Sequence, residues 1–386
     1  MKREDFPKRF AHFLLFGLIF LACQTTLPPS ISASQSLSPT PTYTPQPTAS
    51  QTFTPLPPRP SITIENVDQI IPITTITSDE FTPGGVAWSP DGTKLAISGY
   101  HNTIIVETNS WSEILRLPLS SGKISWSPDG SKLATVSNGL QVWNVVENKH
   151  VFSYRDQESP SWIPLFVSWS PDGSLIAVGG GEDWTVSIIE AQTGELVQEL
   201  QDLFGPAWGG SWSPDGRRFA TGGLADQIII YDASNWNQEM NLRAEYNFLK
   251  SLSWSPSGAY LVSDNAGSGF GEIKIWDTLT GIEYLDLGEV SEGDDIWDVI
   301  WSPEGNMIAA GGGTTATGLF TLPEIKIWDW TKGDLIKILL GLNEPEYEEG
   351  GSYGVFIDVD WSFDGARLAA MSSNSVVYVW GLPEEK

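Results

Sequence analysis

The residues best suited to chemistry in this 386-residue chain are aromatic and acidic side chains that fall between strand-forming stretches. An aromatic ring attracts a cation through its electron-rich face, and nearby carboxylates add to that attraction. Two carboxyl groups held about 5 to 10 Å apart in a cleft could instead perform acid and base catalysis on a sugar. The candidate residues of such a binding face are Trp162, Trp184, Trp208, Trp297, Tyr353, Asp294, Asp295 and Glu346.

Other catalytic patterns are missing from the sequence. It contains no nucleophile elbow, Walker loop, HExxH or CxxC motif, and its three histidines are too few for a histidine-based metal cage. We therefore predict no catalytic residue, no metal site and no cofactor. One alternative stays open, because Asp294 and Asp295, or the acidic run 344–349, could bind Ca²⁺ through carboxylate oxygens.

A repeated five-residue turn, Trp-Ser-Pro-Asp-Gly, defines the elements that must position these residues. Ser, Pro, Asp and Gly in this order favour a type I turn closed by a residue with positive φ, as in a three-residue hairpin. The turn occupies residues 88–92, 126–130, 169–173 and 212–216 and, in altered form, 254–258, 301–305 and 361–365. Seven such units predict an all-β fold, a seven-bladed β-propeller.

A small residue stands eight positions after the Trp of each turn, which supports the same fold. These residues are Ala96, Ala134, Ala177, Ala220, Val262, Ala309 and Ala369. A small side chain at one position of every blade suits a sheet that narrows toward a crowded axis.

The longer connections between strands are predicted to emerge on one face of the ring. If the strands of a blade are lettered a to d outward, the b-to-c and d-to-a connections share a face, and all the candidate binding residues fall in or beside them. The long connections are 156–165, 179–184, 201–210, 264–271, 288–296, 311–323 and 341–355.

The two ends of the chain predict how the ring closes. The sequence stops six residues after Trp380, directly after the third strand of the last unit, which therefore lacks an outer strand. Residues 67–76 are β-prone and can supply it, and Pro72 is tolerable on an outer edge. We expect this N-terminal strand to complete the last blade.

Pairs of an aromatic residue and Asp end the third strand of three units, and a turn with Gly follows. The pairs are Tyr231-Asp232, Trp276-Asp277 and Trp328-Asp329, and the turns include Thr193-Gly194, Thr280-Gly281 and Lys332-Gly333. Over about residues 67–380 the chain resembles the WD-repeat β-propellers, although it has no Gly-His pair and its Trp-Ser-Pro-Asp-Gly turns are similar to those of TolB-type propellers. The resemblance implies a non-enzymatic scaffold for protein or peptide partners.

The first 22 residues predict a signal peptide. Residues 1–12 carry four basic side chains, and residues 13–22 form an apolar run that is too short to span a bilayer. The run ends in Leu21-Ala22-Cys23, which resembles the bacterial lipobox, and Cys23 is the only cysteine. The resemblance implies lipid attachment at Cys23.

Residues 23–61 are predicted to form a linker, and residues 62–386 the propeller. The segment 24–61 contains ten prolines and one charged residue, a composition that cannot bury a core. As extended polyproline II it would reach roughly 100 Å at about 3.1 Å per residue. We expect an extracytoplasmic protein, lipid-anchored to the bacterial cell membrane or cell surface.

The net charge of −27 narrows the choice of partners. Such acidity repels phosphate backbones, so we predict no nucleic-acid partner, whereas a basic protein or peptide fits. The same charge is also explained by solubility alone, and the aromatic residues could simply cover blade edges.

We expect a monomer that contacts the membrane only through its lipid. The alternative function is an extracytoplasmic propeller enzyme or carbohydrate-binding protein that uses the same Trp- and acid-bearing face.

Overall fold

The predicted seven-bladed, all-β propeller is confirmed by the computed structural model, in which 28 strands of the described residues form seven four-stranded antiparallel sheets. Residues Pro57–Lys386 form one compact unit. The structure describes residues 59–77, 84–99, 102–118, 122–137, 139–154, 164–180, 184–201, 203, 205–223, 227–243, 249–265, 270–292, 295–314, 322–341 and 354–383.

The blades follow the chain, and within each blade the strands run outward from the axis, the first being the innermost. Blade 1 contains β2 (Val86–Trp88), β3 (Lys94–Ser98), β4 (Thr103–Glu107) and β5 (Glu113–Leu117). Blade 2 contains β6 (Ile124–Trp126), β7 (Lys132–Val136), β8 (Leu140–Asn144) and β9 (Lys149–Tyr154). Blade 3 contains β10 (Pro164–Trp169), β11 (Leu175–Gly180), β12 (Thr185–Glu190) and β13 (Leu196–Leu200). Blade 4 contains β14 (Ala207–Trp212), β15 (Arg218–Gly223), β16 (Gln227–Asp232) and β17 (Gln238–Arg243).

The remaining blades follow the same order. Blade 5 contains β18 (Leu252–Trp254), β19 (Tyr260–Asn265), β20 (Phe270–Asp277) and β21 (Glu283–Glu292). Blade 6 contains β22 (Asp295–Trp301), β23 (Met307–Thr314), β24 (Leu322–Asp329) and β25 (Asp334–Leu340). Blade 7 contains β26 (Phe356–Trp361), β27 (Arg367–Ser372), β28 (Val376–Gly381) and, as its outermost strand, β1 (Ile71–Thr77). The innermost strand of each blade contacts that of the next, and β26 contacts β2, so the ring is closed.

Five of the seven repeated turns are held by their own Ser and Asp. In the first, Ser89 Oγ donates to Asp91 Oδ1 at 2.6 Å, and Lys94 N donates to Ser89 Oγ at 2.9 Å. The glycines of all seven turns have φ between 66° and 73°, the left-handed region that glycine adopts without strain. Hydrogen bonds from Ser127 and Ser131 lower the pKa of Asp129 to about 2. The Asp of the motif is therefore a turn residue.

In five of the seven turns, the Trp side chain forms a hydrogen bond to the blade before its own. The indole of Trp126 donates from Nε1 to the carbonyl of Ala87 in blade 1 at 3.0 Å, and Trp88, Trp212, Trp254 and Trp301 make the equivalent bond. The small residues eight positions after each Trp are fully buried, as the tapering of the blades requires. The Trp-Ser-Pro-Asp-Gly motif thus builds both the blade and its junction with the blade before it.

The N-terminal strand closes the last blade, as predicted. β1 pairs antiparallel with β28, from Ile71 opposite Gly381 to Thr77 opposite Val376. Before it, Ile62 is 1% exposed and donates its N–H to the carbonyl of Gly365 at 2.8 Å. A turn of 3-10 helix at Val67–Gln69 follows and contacts β25 of blade 6. The N-terminal segment therefore contacts both blade 7 and blade 6.

Candidate functional site

The antiparallel order of the strands gives the ring two differently built faces. The turn face carries the Trp-Ser-Pro-Asp-Gly turns and the connections from the third to the fourth strand of each blade. The opposite face, the loop face, carries the connections from the second to the third strand and from one blade to the next. The candidate binding residues belong to the loop face.

Several predicted connections are partly strand. The prediction that Trp208, Trp297 and Asp295 lie in loops is wrong, because β14 begins at Ala207 and β22 begins at Asp295. Their glycine-rich partner strands resemble loops in sequence, but these glycines allow close approach near the axis. A Cβ atom on Gly223 would lie 1.8 Å from the Pro206 carbonyl oxygen.

A β-bulge positions both tryptophans. The register shifts between Ala207 and Gly209 and between Ile296 and Asp298, which leaves Trp208 and Trp297 as the extra residues of their strands. A bulge re-aims the side chain of the extra residue and bends the strand. Both rings are half-buried at the loop-face end of an innermost strand.

Trp184 stands directly before β12 on the loop face. Its side chain is 47% exposed, and its φ of 60° is unusual for a residue other than glycine. The other candidates, Trp162, Tyr353, Asp294 and Glu346, lie outside the described residues, as does Cys23. The structure thus places Trp184, Trp208 and Trp297 on one face and leaves the role of the whole set a prediction.

A lysine that sequence reasoning missed covers Trp297. Lys250, from blade 5, places its Nζ 3.8 Å from the ring centroid of Trp297 in blade 6 and donates to the carbonyl of Ile296 at 3.1 Å. The lysine is only 8% exposed. This cation–π contact joins two blades and occupies the ring with a cation from the protein itself.

A second missed group of residues spans the ring. Lys123 of blade 2 forms an ion pair with Asp358 of blade 7, and its Nζ lies 3.5 Å from Asp298 Oδ2 of blade 6. The side chains of Lys123, Asp298 and Asp358 are 31%, 12% and 9% exposed. All three stand three residues before a turn Trp, so the ring brings equivalent positions of three blades together.

Backbone N–H groups donate further hydrogen bonds to the carboxylates of Asp298 and Asp358. Asp358 Oδ2 accepts the N–H of Val86 at 2.7 Å, and Asp298 Oδ2 accepts the N–H of Val359 at 2.9 Å. Asp298 Oδ1 also accepts the hydroxyl of Ser251 at 2.5 Å. These bonds run from blade to blade, so the carboxylates join blades 5, 6, 7 and 1.

Burial governs the protonation of this region. It raises the pKa of Asp358 to about 7, against the attraction of Lys123, while the charge of Asp298 raises it further. Burial alone would lower the pKa of Lys123, but Asp298 and Asp358 outweigh it and raise that pKa. Burial also raises the pKa of Asp264 to about 7, although Lys250 and two backbone N–H donors act in the opposite direction.

Two other features are absent from the described residues. Within them, no group of three or more His, Cys, Asp or Glu side chains is arranged to hold a metal ion. No helix in the described ranges is long and apolar enough to cross a membrane.

A closed ring of seven four-stranded blades with two distinct faces defines the class of this protein, a seven-bladed β-propeller. Comparison with known families finds two models that each match part of the chain. A family model described as WD domain, G-beta repeat, matches residues 150–190, and one described as Eukaryotic translation initiation factor eIF2A matches residues 197–339. No curated protein matches the chain. The WD40 propeller fold is typical of protein-interaction scaffolds.

Proposed function

We propose that this protein is a non-enzymatic binding platform, tethered to the bacterial cell surface, that holds a protein or peptide partner on its loop face. The observation that carries the proposal is the placement of Trp184 and Trp208 on that face. An exposed Trp, with its large apolar ring and one N–H donor, is among the side chains that contribute most to protein interfaces. The charge of −27 favours a basic partner.

The backbone of Trp184 supports this role. A left-handed conformation costs roughly 1–2 kcal/mol for a residue other than glycine, and here it presents a ring that remains 47% exposed. Within the described part of the chain, neither burial of that ring nor a hydrogen bond from it offsets the cost of this backbone conformation. Strain held at an exposed aromatic residue is a feature of functional sites.

The position of the N-terminal segment supports a tether that leaves this face accessible. Ser61 Oγ donates to the carbonyl of Asp364 at 2.8 Å, and Asp364 belongs to a turn on the turn face. The chain therefore joins the propeller on the face opposite Trp184 and Trp208.

The platform is tested by capture from native envelope extract on immobilised Pro57–Lys386. We expect bound proteins to be lost when Trp184 and Trp208 are both replaced by Ala, since two aromatic contacts disappear together. Phe363→Ala is the matched control, because Phe363 is an aromatic residue on the turn face that is 74% exposed. Equal capture by the double variant and the unchanged protein would contradict the proposal.

The tether is tested by acyl labelling of the full chain. We expect Cys23→Ser to abolish incorporation of a labelled fatty acid and to release the protein from the membrane fraction. Cys23 is the only thiol, so no other residue can take over thioether attachment. An unchanged label on the variant would refute the anchor.

One observation favours an enzyme as the second candidate. Asp298 and Asp358 meet at Lys123, and burial raises the pKa of Asp358 to about 7. Paired carboxyl groups, one of them with a raised pKa, are what a glycoside hydrolase requires. Here, however, both groups accept backbone N–H bonds that join blades, so a structural role accounts for them. Hydrolysis of a glycan panel that Asp358→Asn abolishes would favour the enzyme.

A further inference from the structure

The contact between Lys250 and Trp297 shows how a loop-face tryptophan of this ring holds a cation. Lys250 stands four residues before the Trp of its own turn, Trp254, and Trp297 stands four residues before Trp301. The cation of one blade therefore lies over the ring at the equivalent position of the next blade, with Nζ 3.8 Å from the ring centroid. The carbonyl of Ile296 completes the site at 3.1 Å.

The same arrangement recurs two blades earlier, but without the cation. Trp208 stands four residues before Trp212 and, like Trp297, is the extra residue of a β-bulge. The equivalent position of the preceding blade is Leu165, which is itself the extra residue in β10. Leu165 carries no charge, so blade 3 cannot supply the ammonium group that blade 5 supplies to Trp297.

Trp208 also has an unused donor. Within the described residues, its indole Nε1 is buried and has no hydrogen-bond partner. A buried N–H without an acceptor costs about 1–3 kcal/mol, so this donor adds to the cost of holding Trp208 in its position.

We propose that Trp208 receives a cationic side chain, Lys or Arg, from a basic protein partner, in the way that Trp297 receives Lys250. This inference rests on the proposed platform function and names the chemistry of its partner. The ring of Trp297 is already covered by Lys250 of the same protein. Trp208 is therefore the ring at which a cation from a partner can bind. The charge of −27 brings such a partner to the surface, and the ring fixes where its cation binds.

The test measures binding of hexalysine to Pro57–Lys386 by titration calorimetry at physiological salt. We expect Trp208→Leu to weaken binding about twofold to thirtyfold, the range for a cation–π contact of about 0.5–2 kcal/mol. Trp297→Leu should leave hexalysine binding unchanged, because Lys250 already covers that ring. Fully acetylated hexalysine, which has no charged side chains, should bind no variant.

Two further variants test the equivalence of the positions without removing Trp208. Leu165→Lys should place an ammonium group over Trp208 and weaken hexalysine binding as much as Trp208→Leu does, whereas Leu165→Met should not. Lys250→Ala should uncover Trp297 and raise the number of hexalysine molecules bound. Thermal unfolding of each variant shows that its fold is retained.

The inference and the platform fail in different ways. If Trp208→Leu and Leu165→Lys bind hexalysine as the unchanged protein does, the cation site is overturned, even where envelope proteins are still captured. If the two variants weaken hexalysine binding but no envelope protein is captured, the site stands and the platform falls.

Discussion

Ile62→Ala should lower the free energy of unfolding by about 2–5 kcal/mol, the usual range for such a truncation in a core. Ile62 is 1% exposed and packs in the same cluster as Val67, Met307 and Trp361, which belong to the N-terminal segment and blades 6 and 7. A loss of this size is a large fraction of the roughly 5–15 kcal/mol that stabilises a domain. Urea unfolding, followed by tryptophan fluorescence, measures the change.

Ile71→Ala is the matched control, since the same truncation is made in the same segment at a residue that is 44% exposed. We expect it to cost no more than about 1 kcal/mol, the span of strand propensity at an edge. Equal effects of the two substitutions would mean that residues before β1 are not part of the core.

Lys123→Met should be the second most damaging substitution. It leaves Asp298 and Asp358 without their shared cation, and removal of one partner from a buried pair costs about 3–5 kcal/mol. Because the Lys123 side chain is 31% exposed, we expect a loss near the lower end of that range. Methionine has a similar length, so the change measures the charge more than the packing.

The pH dependence of this loss gives a second readout. The pKa of Asp358 is about 7 in the folded protein, above its unfolded value, so the folded state takes up the proton first as the pH falls. Without Lys123 that pKa rises further, so protonation at acid pH relieves the unpaired charge. The stability deficit of Lys123→Met should therefore be larger at pH 8 than at pH 5.

Lys94→Met is the control for loss of a lysine charge. Lys94 lies 3.8 Å from Asp91 in an exposed pair of side chains that are 32% and 58% exposed, and such pairs contribute about 0–1 kcal/mol. A Lys123→Met protein as stable as the Lys94→Met protein at both pH values would contradict the contact across the ring.

The blades could be predicted from the sequence because their turn chemistry is local. Ser89, Asp91 and Gly92 satisfy one another within a few residues, so the motif carries its own structure each time it recurs. The closing strand could be predicted for a related reason, because the last unit has only three strands of its own. The repeat period and the turn residues together are enough to predict the fold.

The site is less predictable, for reasons of distance and composition. Lys123 and Asp358 are 235 residues apart in the chain and meet only when the ring closes, so no local spacing reveals them. The sequence favours loops at Trp208 and Trp297 because their strands pair with glycine-rich strands. A usable signal does exist, since charged residues stand three positions before the turn tryptophans Trp126, Trp301 and Trp361.

The two faces exist only if the N-terminal strand of the same molecule closes the ring. A pair of introduced cysteines tests this closure most directly. Pro57–Lys386 contains no cysteine, and Thr77 lies opposite Val376 in the ladder between β1 and β28. Under mild oxidation, Thr77→Cys with Val376→Cys should form a disulfide within one molecule, visible as a reducible shift in gel mobility. Thr77→Cys with Val377→Cys, whose side chains point to opposite faces of the sheet, should not. Absence of the first cross-link, or its formation only between molecules, would contradict the closed ring.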